Sequence, residues 1–134
     1  MIVHGVNLLA VLAAAVSAFV IGGIWYLSFV FGKAWKSANQ FREGEPKSSP
    51  GTTYSISFVL SVIMALNLAF FLNDRKTKVV WGATAGFLAG FGWVTMGFGI
   101  VSLFEGRPFK YVLVNGGYLT IALVAMGAIL GAWR

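Results

Sequence analysis

FEGRPFK, Phe104 to Lys110, lies between two long apolar runs and places Glu105, Arg107 and Lys110 within seven residues. An acid among bases could transfer protons or hold an ion. The same residues also spell a turn at a membrane surface. Gly106 suits the left-handed position that ends a helix, and Pro108 suits the first turn of the next one. Arg107 and Lys110 suit the headgroup region. Glu105 is the odd member, because an acid at a helix C-terminus opposes the helix dipole. Its expected partner is Arg107, as an interfacial ion pair, or a basic residue of the first loop.

Other polar groups sit inside apolar runs: Asn67, Thr84, Thr95, Asn115, Tyr118 and Thr120. Amides and hydroxyls in lipid bond across helices, so these are either glue between helices or the lining of a polar cavity. The candidate cavity comprises Asn67, Thr95, Asn115 and Tyr118. No Asp, Glu, Lys or Arg falls in the core of a run. Proton-coupled carriers use such groups, so proton exchange is disfavoured and a passive pore stays open.

The single histidine, His4, stands near the N-terminus, and there is no cysteine. A serine–histidine–acid set, paired membrane carboxylates and a metal cluster are therefore not expected. The expectation is no enzyme, with catalytic residues, metal and cofactor none.

The elements that carry these residues follow from composition. The 134 residues are 58% hydrophobic and only 10% charged, against about 25% charged in soluble domains. The expected solvent is lipid. The net charge of +6 is spread over short segments between apolar runs, where anionic headgroups would meet it. A nucleic-acid binder would instead concentrate it on one face, so no nucleic acid is expected.

Four apolar runs, approximately 6–31, 54–73, 79–104 and 109–133, are each long enough to span, since a spanning helix needs about 20 residues. The first lacks a basic leader and exceeds the ~7–15 residues of a signal peptide's apolar region. The predicted fold is all-α, an integral membrane four-helix bundle in a single domain, 1–134. Residues 32–41 alternate apolar and polar faces at helical spacing and predict a short interfacial helix. A polar loop over 42–53 follows it. Basic residues divide six to four between the two ends. This favours both termini outside, with loops 1 and 3 cytoplasmic.

Small residues recur at i,i+4 on every run. Ala10, Ala14, Ala18 and Gly22 lie on the first, and Ser57, Ser61, Ala65 and Ala69 on the second. Gly82, Gly86 and Gly90 lie on the third, and Gly127 and Gly131 on the fourth. Such stripes let backbones approach in lipid. They predict tight packing within the chain or between subunits, or else a surface for a flat ligand such as a quinone, pigment or lipid.

A 74-residue shift lays Val30–Lys36 over Phe104–Lys110, with Gly32 on Gly106 and Lys33 on Arg107. This raises a parallel two-hairpin repeat against two generic helix ends.

GGIWYLSFVFGKAW and FEGRPFKYVLVNGGY followed by MGAILGAW resemble the two signatures of a bacterial membrane family, domain of unknown function 1761. The resemblance covers helix 1 with its extension, the third loop and helix 4. It implies four membrane helices in the bacterial inner membrane and no established activity. Leu27 and Ser28 stand where Ser-Pro is often found, and Leu119 where a polar residue, often His, follows the tyrosine. A proline kink and a ligand role there do not carry over.

The leading expectation is a non-enzymatic membrane protein that packs as an oligomer or as an accessory subunit of a larger membrane complex. A small channel or facilitator is the alternative, and a lipid-, quinone- or pigment-binding protein is the third reading. Partners are the lipid bilayer and further protein, with any small-molecule ligand unspecified.

Overall fold

The computed structural model describes residues 2–3, 5–27, 50–74 and 76–133. Four helices carry the fold: α1 (Leu8–Trp25), α2 (Pro50–Phe71), α3 (Val79–Glu105) and α4 (Phe109–Ala132). All four are long and apolar enough to cross a membrane. The interfacial segment 32–41, the tail of the first run from residue 28, the loop to residue 49 and His4 lie outside the described residues.

The ends of the helices depart from expectation in ways their residues explain. The first run does not enter its helix at Val6. Ile2–Val3 (β1) and Val6–Asn7 (β2) pair as a short antiparallel ladder. Gly5 turns between them at φ 80°, a conformation that costs a residue without Cβ little. Asn7 then caps α1, its Oδ1 accepting from Leu9 N at 3.1 Å and Ala10 N at 3.4 Å. Residues 50–53, expected as loop, are already helical. Pro50 opens α2, where a missing N–H costs nothing.

The α3–α4 turn is built as its residues indicate. Gly106 is left-handed at φ 71°. Arg107 N donates to Ser102 O at 2.9 Å and Gly106 N to Leu103 O at 3.2 Å, so two of the four trailing carbonyls are satisfied. Pro108 is one step earlier than expected. It is extended and precedes Phe109, the first residue of α4. Between α2 and α3, Asp74 organises the turn by accepting from Lys76 N through its side chain and from Thr77 N through its carbonyl, each at 2.9 Å.

In space the order is α2, α1, α4, α3. Helix α1 packs on α2 and α4, and α4 makes its longest interface with α3. Helix α4 is central, with 44% of its span buried against 17% for α3. The core joins Ala10, Ala14 and Ala18 to Ala65, Ala69, Leu123 and Met126. Phe19 meets Tyr54 and Phe58 edge-on at 6.0 and 5.9 Å where α1 faces α2. The outer surface is apolar, with Phe104 91% exposed, as lipid requires.

Although consecutive, α2 and α3 leave an apolar groove lined by Leu68, Phe71, Trp81, Leu88 and Trp93 among others. Trp93 meets Phe71 edge-on there at 6.5 Å. A two-hairpin repeat would relate α1 to α3 and α2 to α4. The α1–α4 interface would then have an α2–α3 counterpart, and that place is this groove.

Helix α3 is not uniform. Its middle, Leu88–Thr95, is a π-helix between the α-helical Val79–Phe87 and Met96–Glu105. The buried positions show why. Gly82, Gly86 and Gly90 are spaced by four, and the next buried residue is Thr95, five further on, then Ser102. An unbroken α-helix would carry Val94 to the α4 face. The wider turn carries Thr95 there instead.

Candidate functional site

The seams that α4 makes with α3 and α1 are built from missing side chains. A Cβ on Gly82 would land on the carbonyl oxygen of Gly127, and one on Gly86 on that of Leu123. A Cβ on Gly90 would come within 2.6 Å of Thr120 Cα, and one on Gly131 within 2.5 Å of Lys78 O. Backbone therefore touches backbone along α3–α4. Ala14, Ala18, Ser61 and Ala65 are buried too, so the described small-residue faces are occupied within the chain.

At the other end of α4, the motif Asn115-Gly116-Gly117-Tyr118 meets both neighbours. Gly116 leaves room for Thr95 of α3, whose Cγ2 would stand 2.6 Å from an added Cβ. Gly117 leaves room for the Trp25 ring, and Gly22 of α1 for the Tyr118 ring, at 2.9 and 3.1 Å by the same measure. Polar atoms close this junction. Trp25 Nε1 donates to Val114 O at 2.9 Å, and the Tyr26 hydroxyl donates to Asn115 Oδ1 at 2.6 Å. Asn115 Nδ2 donates to Tyr111 O at 3.0 Å and the Tyr118 hydroxyl to Ala18 O at 3.1 Å. The Tyr26 and Tyr118 rings meet edge-on at 5.5 Å.

A second polar node lies on the α3 side. Thr95 Oγ1 is 2.8 Å from Gly90 O, 3.1 Å from Gly116 O and 3.1 Å from Thr120 Oγ1. One hydroxyl proton serves one carbonyl at a time, while Thr120 can donate to Thr95. Thr95→Val keeps the shape and removes the hydroxyl. The expected cost is about 0.6 kcal/mol and at most ~1.7, read as a lower thermal midpoint in detergent. An unchanged midpoint would show that the hydroxyl contributes nothing to the π segment.

The four residues predicted to line one cavity are thus separated. Asn115 and Tyr118 share the junction with Trp25 and Tyr26, whereas Thr95 belongs to the Thr120 node. Asn67 is on neither: it is exposed on α2, its Nδ2 donating to Ile63 O of its own helix at 2.9 Å. Period and polarity place a residue on a face but do not say which helix that face meets. Among the described residues no buried side-chain nitrogen or oxygen lacks a partner. Nor does any group of three or more His, Cys, Asp or Glu gather there. Spacing did not reveal Trp25 as the partner of Val114 O or Tyr26 as the partner of Asn115. The available signal was that both belong to signature stretches.

Glu105 and Arg107 lie 3.6 Å apart at the end of α3. The Arg107 guanidinium sits over the Tyr111 ring at 5.3 Å, and that ring lies 5.3 Å from Phe98.

Four apolar spans, with α1 and α3 held on α4 through glycine contacts, define a small multi-pass membrane protein. The chain belongs to the family described as protein of unknown function (DUF1761), whose model matches residues 9–131. That match runs through all four helices, beyond the two signature stretches. Comparison with curated proteins and with solved structures gave no match.

Proposed function

We propose that this is a non-enzymatic assembly protein of the bacterial inner membrane that associates with further copies of itself through the outer face of α2. The observation that carries the reading is Asn67. Ile56, Val59, Leu60, Ile63, Phe70 and Phe71 are exposed on α2, and Asn67 is exposed among them. It lies about 6 Å inside the C-terminal end of the helix, at 1.5 Å per residue. Its one intrahelical bond leaves the amide oxygen and an N–H with hydrocarbon for surroundings. An amide is both donor and acceptor, so the same amide on a second copy satisfies it. A two-fold pair of identical faces is the simplest closed arrangement.

The channel reading is less well supported. Asn67 stands apart from Asn115 and Tyr118, and those two spend their polar atoms on Tyr26, on Tyr111 of their own helix and on Ala18 of α1.

Asn67→Leu tests the reading by native mass spectrometry of the full chain from mild detergent. One interhelical amide bond is worth about 1–2 kcal/mol in model helices. Dimer dissociation should therefore rise roughly 5–30-fold. A monomeric wild type, or unchanged stoichiometry in the variant, would overturn self-association. Loss of a different protein on substitution would replace it with an accessory-subunit role.

A further inference from the structure

The turn between α3 and α4 borders a cleft of about 370 Å³, lined by Gly97, Phe98, Val101, Ser102, Glu105 and Tyr111. This is within the ~300–1,000 Å³ of small-molecule sites. Its lining is mostly apolar and aromatic with Glu105 as its charged member, and it lies at one end of two spans, the end expected among lipid headgroups. A Cβ on Gly97 would meet nothing within 4 Å, so the missing side chain is not required by helix packing.

The rim has an unusual charge arrangement. Glu105 opposes the dipole of the helix it ends, and its ion pair with Arg107 is substantially exposed, a setting in which pairs stabilise little. At 3.6 Å the pair is looser than the ~2.7–2.9 Å of a charge-assisted hydrogen bond. Folding therefore gives little reason for an acid at this place. One carboxylate is too few for a hard metal ion, which takes six or more oxygens, and the adjacent guanidinium opposes one. A carboxylate and a guanidinium side by side complement a ligand with an ammonium and a phosphate at similar separation.

We infer that the cleft between the ends of α3 and α4 binds a phospholipid with a primary-amine headgroup. The ammonium lies on Glu105, the phosphate on Arg107, and the upper acyl chain against Phe98 and Val101. Glu105 gives the selectivity. It repels anionic headgroups that lack an amine, and it accepts hydrogen bonds that a quaternary ammonium cannot donate. The inference is independent of self-association through α2.

The test is native mass spectrometry of the full chain with equimolar phosphatidylethanolamine, phosphatidylcholine and phosphatidylglycerol of distinguishable mass. The wild type should retain phosphatidylethanolamine in preference to both others. Glu105→Gln should reduce that preference about tenfold, as for loss of one charge-assisted contact. Gly97→Leu should fill the cleft and reduce retention while leaving the thermal midpoint intact. Equal retention of all three lipids by the wild type, a preference for phosphatidylglycerol, or a preference unchanged in Glu105→Gln would overturn the inference.

Discussion

Gly86→Leu is expected to destabilise the folded bundle itself, not merely its association. The Cβ alone would occupy the position of the Leu123 carbonyl oxygen, and backbone on both sides leaves no rotamer to move. Ordinary overpacking costs about 1–3 kcal/mol. This substitution must separate two helices along their longest interface, so a loss above ~3 kcal/mol is expected. In a domain of this size that lowers the thermal midpoint by roughly 10 °C or more. Gly92→Ala is the control, because Gly92 lies on the same helix with nothing within 4 Å of an added Cβ. It should match the wild type or gain slightly from helix propensity. Thermal unfolding of both variants in one detergent decides the matter. A wild-type midpoint for Gly86→Leu would show that the α3–α4 seam is not as close as described.

Trp25→Ala should be the next most damaging change. The ring covers Gly117 and its Nε1–H satisfies Val114 O. Truncating a fully buried Trp costs about 3–5 kcal/mol in soluble cores. Trp25 is half-buried, so roughly 2–3 kcal/mol is expected. Trp25→Phe separates the two contributions. It keeps most of the ring and loses the donor, at about 0.6 kcal/mol. If the two variants unfold alike, the hydrogen bond dominates and the packing account of Gly117 fails.

Much of this was legible in the residues. The Gly82, Gly86, Gly90 stripe announces a backbone contact, because a glycine row in a lipid-solvated helix has little other structural use. Gly106 and the turn it forms are likewise written locally, in one residue that tolerates φ 71°. The π segment was not legible. An extra residue in a helical turn leaves no mark of composition, and only the need to bring Thr95 to Gly116 and Thr120 reveals it. The polar grouping was also hidden. Asn67 and Asn115 are the same residue type at similar places in apolar runs, yet one closes the α1–α4 junction and the other faces outward.

The sequence by itself indicated that the chain enters lipid, that it has four spans and where the α3–α4 turn falls. Each depends on local properties: the transfer of an apolar run out of water, and the backbone preferences of Gly, Pro and Asn. Which stripe meets which was decided only in three dimensions. In lipid every apolar face is equally well solvated, so hydrophobicity does not choose a partner. Steric fit does, between Gly82 and Gly127, between Gly117 and Trp25, and between Gly22 and Tyr118. That fit exists only once the helices are assembled.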